Sequence, residues 1–218
     1  MLQILKDLSN ASNTRMSETF WNLMEYYFYD TMKSCEQISK GLGFKENPNP
    51  FDAEDCDSKI EEILKRIEFN EELFREFMIK WTEGVMERGE DPINQLMGHK
   101  EMQGTLNTGK AGQFFTPPAL CRLAAQMTED HPGKEWDGIT EWVIEPSAGF
   151  GSMLLADFKV LNEKYPGEAP CRSRVYVAQE LYRRTAMVCW LQMNIAGMTG
   201  YVDCIDSLQR ERYDDRWF

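Results

Sequence analysis

The chain has 218 residues, 42% of them hydrophobic, which is enough for a packed core and excludes a disordered tail. Lys and Arg number 24 against 36 Asp and Glu, a formal charge of −12, so phosphates are not gathered by bulk charge and any nucleic-acid contact must be local or borrowed from a partner. No apolar run approaches the roughly 20 residues that cross a bilayer, and the start, Met1 to Lys6, lacks a leader's basic flank and apolar stretch; the expectation is a cytoplasmic protein with no membrane contact.

The front half reads as helical. Ser17 is placed to cap a run from Glu18 to Lys40, whose Phe20, Leu23, Met24, Tyr27, Phe28 and Met32 recur at three- and four-residue steps before Gly41 and Gly43. A turn-rich loop, Asn47 to Pro50, follows. Ser58 and Glu61 then have the spacing of a capping box for a helix burying Ile60, Ile63, Leu64 and Ile67. Asn70 can cap the next helix, with Leu73, Phe74, Phe77, Met78, Trp81 and Val85 on one stripe. Residues 51–100 carry fourteen acidic and seven basic side chains, so the acidity belongs to this half and is read as solvated surface.

The six cysteines are scattered without a Cys-x-x-Cys pair, and His99 and His131 are the two histidines. Neither a zinc site nor a disulfide framework has the spacing it needs, so no metal is expected and the thiols read as small hydrophobes.

From about residue 140 short β-rich runs alternate with helix-length segments, the rhythm of a parallel sheet wrapped by helices. Trp142 to Ile144 is the first strand, and a helix carrying Met153, Leu154, Leu155, Phe158 and Leu161 follows its turn. Arg174 to Ala178 is the second strand, running into Gln179-Glu180 and a helix from Leu181 to about Ala196. Tyr201 to Ile205 is the third, delivering Asp206-Ser207-Leu208.

Open α/β sheets bind ligands at the carboxyl ends of their strands. The small-residue turn Glu145-Pro146-Ser147-Ala148-Gly149-Phe150-Gly151 lets a ligand approach the backbone, and the helix after it presents free N–H groups to an anion. An ionised Glu180 can accept both hydroxyls of a ribose, and Asp206 can accept from an exocyclic amine. A nucleoside with an anionic tail satisfies all three, which leaves a dinucleotide and S-adenosylmethionine in competition. The dinucleotide fingerprint lacks its third glycine, and Glu180 lies 29 residues after Gly151 rather than about 20. Taken alone, the glycine turn is equally a plain strand-to-helix connection.

Upstream stands Gly112-Gln113-Phe114-Phe115-Thr116-Pro117-Pro118. It closely resembles the Gly-Gln-aromatic-aromatic-Thr-Pro segment of N6-adenine DNA methyltransferases typified by modification subunits of type I restriction systems. The turn at Glu145 to Gly151 is similar to that family's acidic-Pro-x-x-Gly-x-Gly loop. Val177 to Leu181 resembles its ribose-binding strand end, and Asp206-Ser207-Leu208 its adenine-side segment. The resemblance covers residues 91 to 208. It implies a Rossmann-like class I S-adenosylmethionine-dependent methyltransferase α/β sheet, here partial, over residues 101–218, preceded by an N-terminal helical bundle over residues 1–100. It also implies S-adenosylmethionine as cofactor, held by Gln113, Phe114, Phe115, Thr116, Pro117, Glu145, Pro146, Ser147, Ala148, Gly149, Gly151, Glu180, Leu181 and Asp206.

One departure bears on activity. The family's next strand ends in an Asn-Pro-Pro-aromatic motif that receives the target adenine, and after Leu208 this sequence reads Gln209 to Phe218 without it. No catalytic residue is therefore assigned. The expected function is methyl transfer to adenine in DNA if that motif comes from beyond residue 218 or from a partner. The alternative is a non-catalytic cofactor-binding or acidic interaction module in a restriction-modification or other complex. DNA, reached through a partner subunit, and a specificity subunit or second copy of the chain are the expected partners. A sheet of three strands would leave an edge open to one of them.

Overall fold

The computed structural model describes residues 1–43, 53–88, 91–102, 116–129, 141–165, 174–208 and 211–217. Its helical front comprises α1 (Leu2–Ala11), α2 (Met16–Gly41), α3 (Ala53–Leu64), α4 (Glu71–Arg88) and the short α5 (Pro92–Met97), closed by a 3-10 turn at Lys100–Met102. Then come α6 (Pro118–Glu129), β1 (Glu141–Glu145), α7 (Ser152–Lys164), β2 (Arg174–Glu180), α8 (Arg183–Ala196), β3 (Gly200–Asp206) and β4 (Glu211–Trp217).

The apolar periodicity of the front half is realised. Phe20, Leu23, Met24, Phe28 and Met32 of α2 and Phe77, Trp81 and Val85 of α4 are buried on facing stripes. Asn70 caps α4 as anticipated, its Oδ1 accepting from the Leu73 N–H at 3.0 Å. Two other caps differ. Arg15, without a side-chain bond, stands at the start of α2 where Ser17 was expected. Helix α3 already begins at Ala53, so Ser58 lies within it, where the neighbouring amides are engaged by the helix and leave a capping box nothing to satisfy.

The strands form one sheet in the order β1-β2-β3-β4. The first three are parallel, with Val143 beside Tyr176 and Ala178 beside Val202. The fourth runs antiparallel to β3, with Val202 opposite Trp217. The expected third-strand edge is therefore occupied, and β1 is the outer parallel strand. Its Trp142 and Ile144 are both 60% exposed.

Among the described residues the larger hydrophobic core runs from Leu5, Leu23 and Phe28 through Phe77 and Trp81 to Phe150, Tyr176, Val188, Trp190 and Val202. Helix α8 is the shared element: its Trp190 ring meets Phe28 of α2 edge-on at 5.3 Å. A smaller cluster packs Cys121 and Ala125 of α6 against Ala156 and Val160 of α7. The helical front thus backs onto the sheet layer, and the strand tips lie beside α5 and the start of α6.

Candidate functional site

The loop between β1 and α7 is shaped by two glycines in the left-handed region, Gly149 at φ 56° and Gly151 at φ 92°. A Cβ on Gly151 would also come within 3.1 Å of the Cys189 Sγ, so both backbone and packing demand glycine there. Between them Phe150 is fully buried and anchors the loop in the core. Gly151 caps α7 without a side-chain bond. The first-turn amides of that helix are therefore not consumed by a capping side chain.

Hydrogen bonds draw the three parallel strand tips together. The Ala148 N–H donates to the Gln179 carbonyl at 2.9 Å, tying the turn to β2. The Ser207 hydroxyl donates to the Pro146 carbonyl at 2.7 Å, tying β3 to the same turn. Glu180 bridges most directly: Oε2 accepts from the Gly149 N–H at 3.0 Å and Oε1 from the Tyr182 N–H at 2.9 Å. Only 8% of Glu180 is exposed. Burial pushes its carboxyl above the usual range, against the pull of the amides of Tyr182, Gly149 and Leu181. Of these amides, those of Gly149 and Tyr182 lie at hydrogen-bond distance, one on each oxygen, and a carboxylate with about four acceptor positions keeps capacity for a ligand hydroxyl.

The other candidates surround this junction. Glu145 accepts from the Ser147 N–H at 3.1 Å and stiffens the turn. Ser147 and Pro146 are exposed, Ala148 is buried, and Leu181 stands at the surface beside Glu180. Asp206 is partly exposed at the tip of β3, its Oδ1 accepting from the Leu208 N–H at 3.0 Å. Thr116 and Pro117 are exposed ahead of α6. The Thr116 carbonyl accepts from Asn94 Nδ2 at 3.0 Å, and the same amide nitrogen reaches Ser152 Oγ at 3.4 Å. Thr116 is thereby one side chain away from the start of α7. Gln113, Phe114 and Phe115 lie outside the described residues.

Four residues of this junction were not singled out from the sequence as functional: Asp91, Asn94, Ser152 and Gln192. Asp91-Pro92 carries the signal of a helix cap, and Asp91 does cap α5, accepting from the Asn94 N–H at 2.9 Å. Nothing local marks it as more than a cap. Among the described residues there is no cluster of three His, Cys, Asp or Glu side chains fit to hold a metal, and no helix long and apolar enough to cross a membrane.

Three parallel strands of an open sheet, a glycine turn after the first and a buried carboxylate at the tip of the second define a Rossmann-like α/β protein. The particular family follows from the sequence match: the N-6 DNA Methylase family profile covers residues 101–216, rather more than half the chain, and the chain belongs to that family. Among solved structures, the chain resembles a modification subunit ascribed to a type I restriction enzyme of Vibrio vulnificus YJ016. The two superpose with a TM-score of 0.50 at 14% identity, over 95% of this chain and 56% of the other, a likeness of fold. The chain thus spans little more than half the length of that subunit. No curated protein sequence matches it significantly.

Proposed function

We propose that the tips of β1, β2 and β3 hold S-adenosylmethionine and that the chain is the cofactor-binding part of a DNA adenine-N6 methyltransferase. The observation that carries this reading is the buried Glu180 carboxylate, clamped by the Gly149 and Tyr182 amides and still able to accept a ribose diol. The donor set suits the whole cofactor: a small-residue turn that permits close backbone approach, uncapped helix amides for its carboxylate, and Asp206 for the adenine amine. Thr116 and Pro117 supply a further side of the site, and Leu181 borders the ribose. When bound, the cofactor supplies an electrophilic sulfonium methyl group.

The chain's own part is to bind and orient that group. The 218 residues contain no Asn-Pro-Pro-aromatic motif, so the adenine acceptor site is assigned to residues outside them, in a continuation of the chain or in a partner. At a net charge of −12 the duplex is also expected to be held through basic surface elsewhere, as by a specificity subunit or a second copy. One rival reading is an acidic module, at a net charge of −12, that binds the cofactor, transfers nothing and regulates a complex.

Calorimetric titration with S-adenosylmethionine tests the binding step. The wild-type chain should bind, and Glu180→Ala should weaken binding by about tenfold or more, since a hydrogen-bonded charged acceptor contributes about 1.5–3 kcal/mol. A wild-type chain that shows no heat of binding removes both readings. Transfer of labelled methyl groups to adenine-containing duplex then separates them, with binding but no transfer in any complex favouring the regulatory module.

A further inference from the structure

Asp91 is 2% exposed, and every bond resolved to its carboxylate comes from a donor. Oδ1 accepts from the Asn94 N–H at 2.9 Å and from Gln192 Nε2 at 3.0 Å. Oδ2 accepts from the Ser152 hydroxyl, and the Ile93 N–H donates as well. Burial pushes this carboxyl up, against the pull of the Ser152, Asn94, Gln192 and Ile93 donors; in its ionised form it can only accept, and so fixes the direction of each bond beyond it.

Ser152 must spend its proton on Asp91 and is left to accept from Asn94 Nδ2. The same Asn94 nitrogen donates its second hydrogen to the Thr116 carbonyl at 3.0 Å. Gln192, fully buried, must turn its nitrogen toward Asp91, and its other N–H donates to the Phe150 carbonyl at 2.7 Å. Its Oε1 then faces the Trp81 Nε1–H at 3.1 Å. One carboxylate therefore orients two amides and a hydroxyl. Through them it reaches the glycine turn at Phe150, the first residue of α7, the segment at Thr116, and the helical front at Trp81.

We infer that Asp91 is a positioning residue for the cofactor site: it sets the glycine turn and the Thr116 segment relative to each other without itself touching the ligand. This rests on the reading that those two segments hold S-adenosylmethionine. A helix cap alone would require only the Asn94 and Ile93 amides. The bonds to Ser152 and Gln192 come from two other helices, separated by 61 and 101 residues in sequence.

Amide hydrogen exchange on the unliganded full chain decides the point without any cofactor. Asp91→Asn keeps the shape but places a donor among donors, and should speed exchange by about tenfold in both residues 116–121 and 148–155. Val85→Ala, a buried truncation in α4, serves as a control for general loss of stability. Asn94→Ala should loosen residues 116–121 more than residues 148–155, and Ser152→Ala the reverse; these two carry the test if Asp91→Asn does not fold. Exchange no faster than in the Val85 control in either segment would overturn the positioning role. S-adenosylmethionine affinity gives the second readout: about tenfold weaker binding in Asp91→Asn with less than a twofold change in the control supports it, and equal losses overturn it. If the wild-type chain binds no cofactor, the functional reading falls while the exchange pattern still decides what Asp91 does.

Discussion

The α2–α4–α8 core and the strand-tip junction lie side by side and are held by opposite means. In the core, Phe20, Phe28, Phe77, Trp81 and Trp190 are at most 1% exposed, and the order comes from filling volume with rings. At the junction the side chains are small or polar, and the order comes from main-chain amides meeting two buried carboxylates, Asp91 and Glu180. Packing of the first kind tolerates exchanges that conserve volume. Hydrogen bonding of the second kind tolerates little, because a buried acceptor or donor left alone costs its full desolvation. Trp81 belongs to both regions, with its ring in the core and its Nε1 on Gln192.

Trp81→Ala should therefore be the most damaging single change. Removing a fully buried tryptophan costs about 3–5 kcal/mol, and the loss of its bond to Gln192 should carry the damage into the junction. Urea unfolding followed by circular dichroism would show it; a loss under about 1 kcal/mol would contradict a continuous core.

Gly151→Ala isolates the junction. A non-glycine residue held in the left-handed region costs on the order of 1–3 kcal/mol, and the added Cβ crowds Cys189. The same denaturation measurement should show a loss smaller than that of Trp81→Ala, accompanied by weakened S-adenosylmethionine binding in calorimetry.

A pH series sharpens the contrast further. Burial raises the Glu180 carboxyl, so the folded chain holds that proton more tightly than the unfolded chain does. The stability this contributes is complete below the unfolded carboxylate range, about pH 4.3, and is lost as pH rises through the folded-state value. Unfolding free energy measured from about pH 4 to about pH 7 should accordingly fall more steeply for wild type than for Glu180→Gln. The reverse order would mean that the amides of Gly149 and Tyr182 outweigh the desolvation.

The smallest effect is expected outside both regions. Trp142→Thr, at an exposed position on the outer parallel strand, should change stability by no more than about 0.5 kcal/mol in the same assay.

Much of the fold was legible because it is written in local periodicity. The stripe from Leu73 to Val85, the strand cores at 142–144, 174–178 and 201–205, and the helices between them reappear with ends shifted by a residue or two. Where local signals compete, the sequence misled: Ser58 and Glu61 have capping-box spacing, yet the helix starts five residues earlier. The small helix α1 was passed over, and its Leu5 and Leu8 count only because α2 and α4 are there to cover them.

The sequence by itself determined the order of the helical front and the alternating sheet units, the glycine turn, and the acid at the second strand end, since each is a property of neighbouring residues. Tertiary structure alone decided that Glu211 to Trp217 pairs antiparallel with β3, that Glu180 folds back onto the Gly149 amide, and that Asp91 is a hub rather than a cap. The last two outcomes depend on which donors arrive from 31, 61 and 101 residues away. A buried carboxylate's role is set by the donors that surround it, and spacing along the chain carries no record of them.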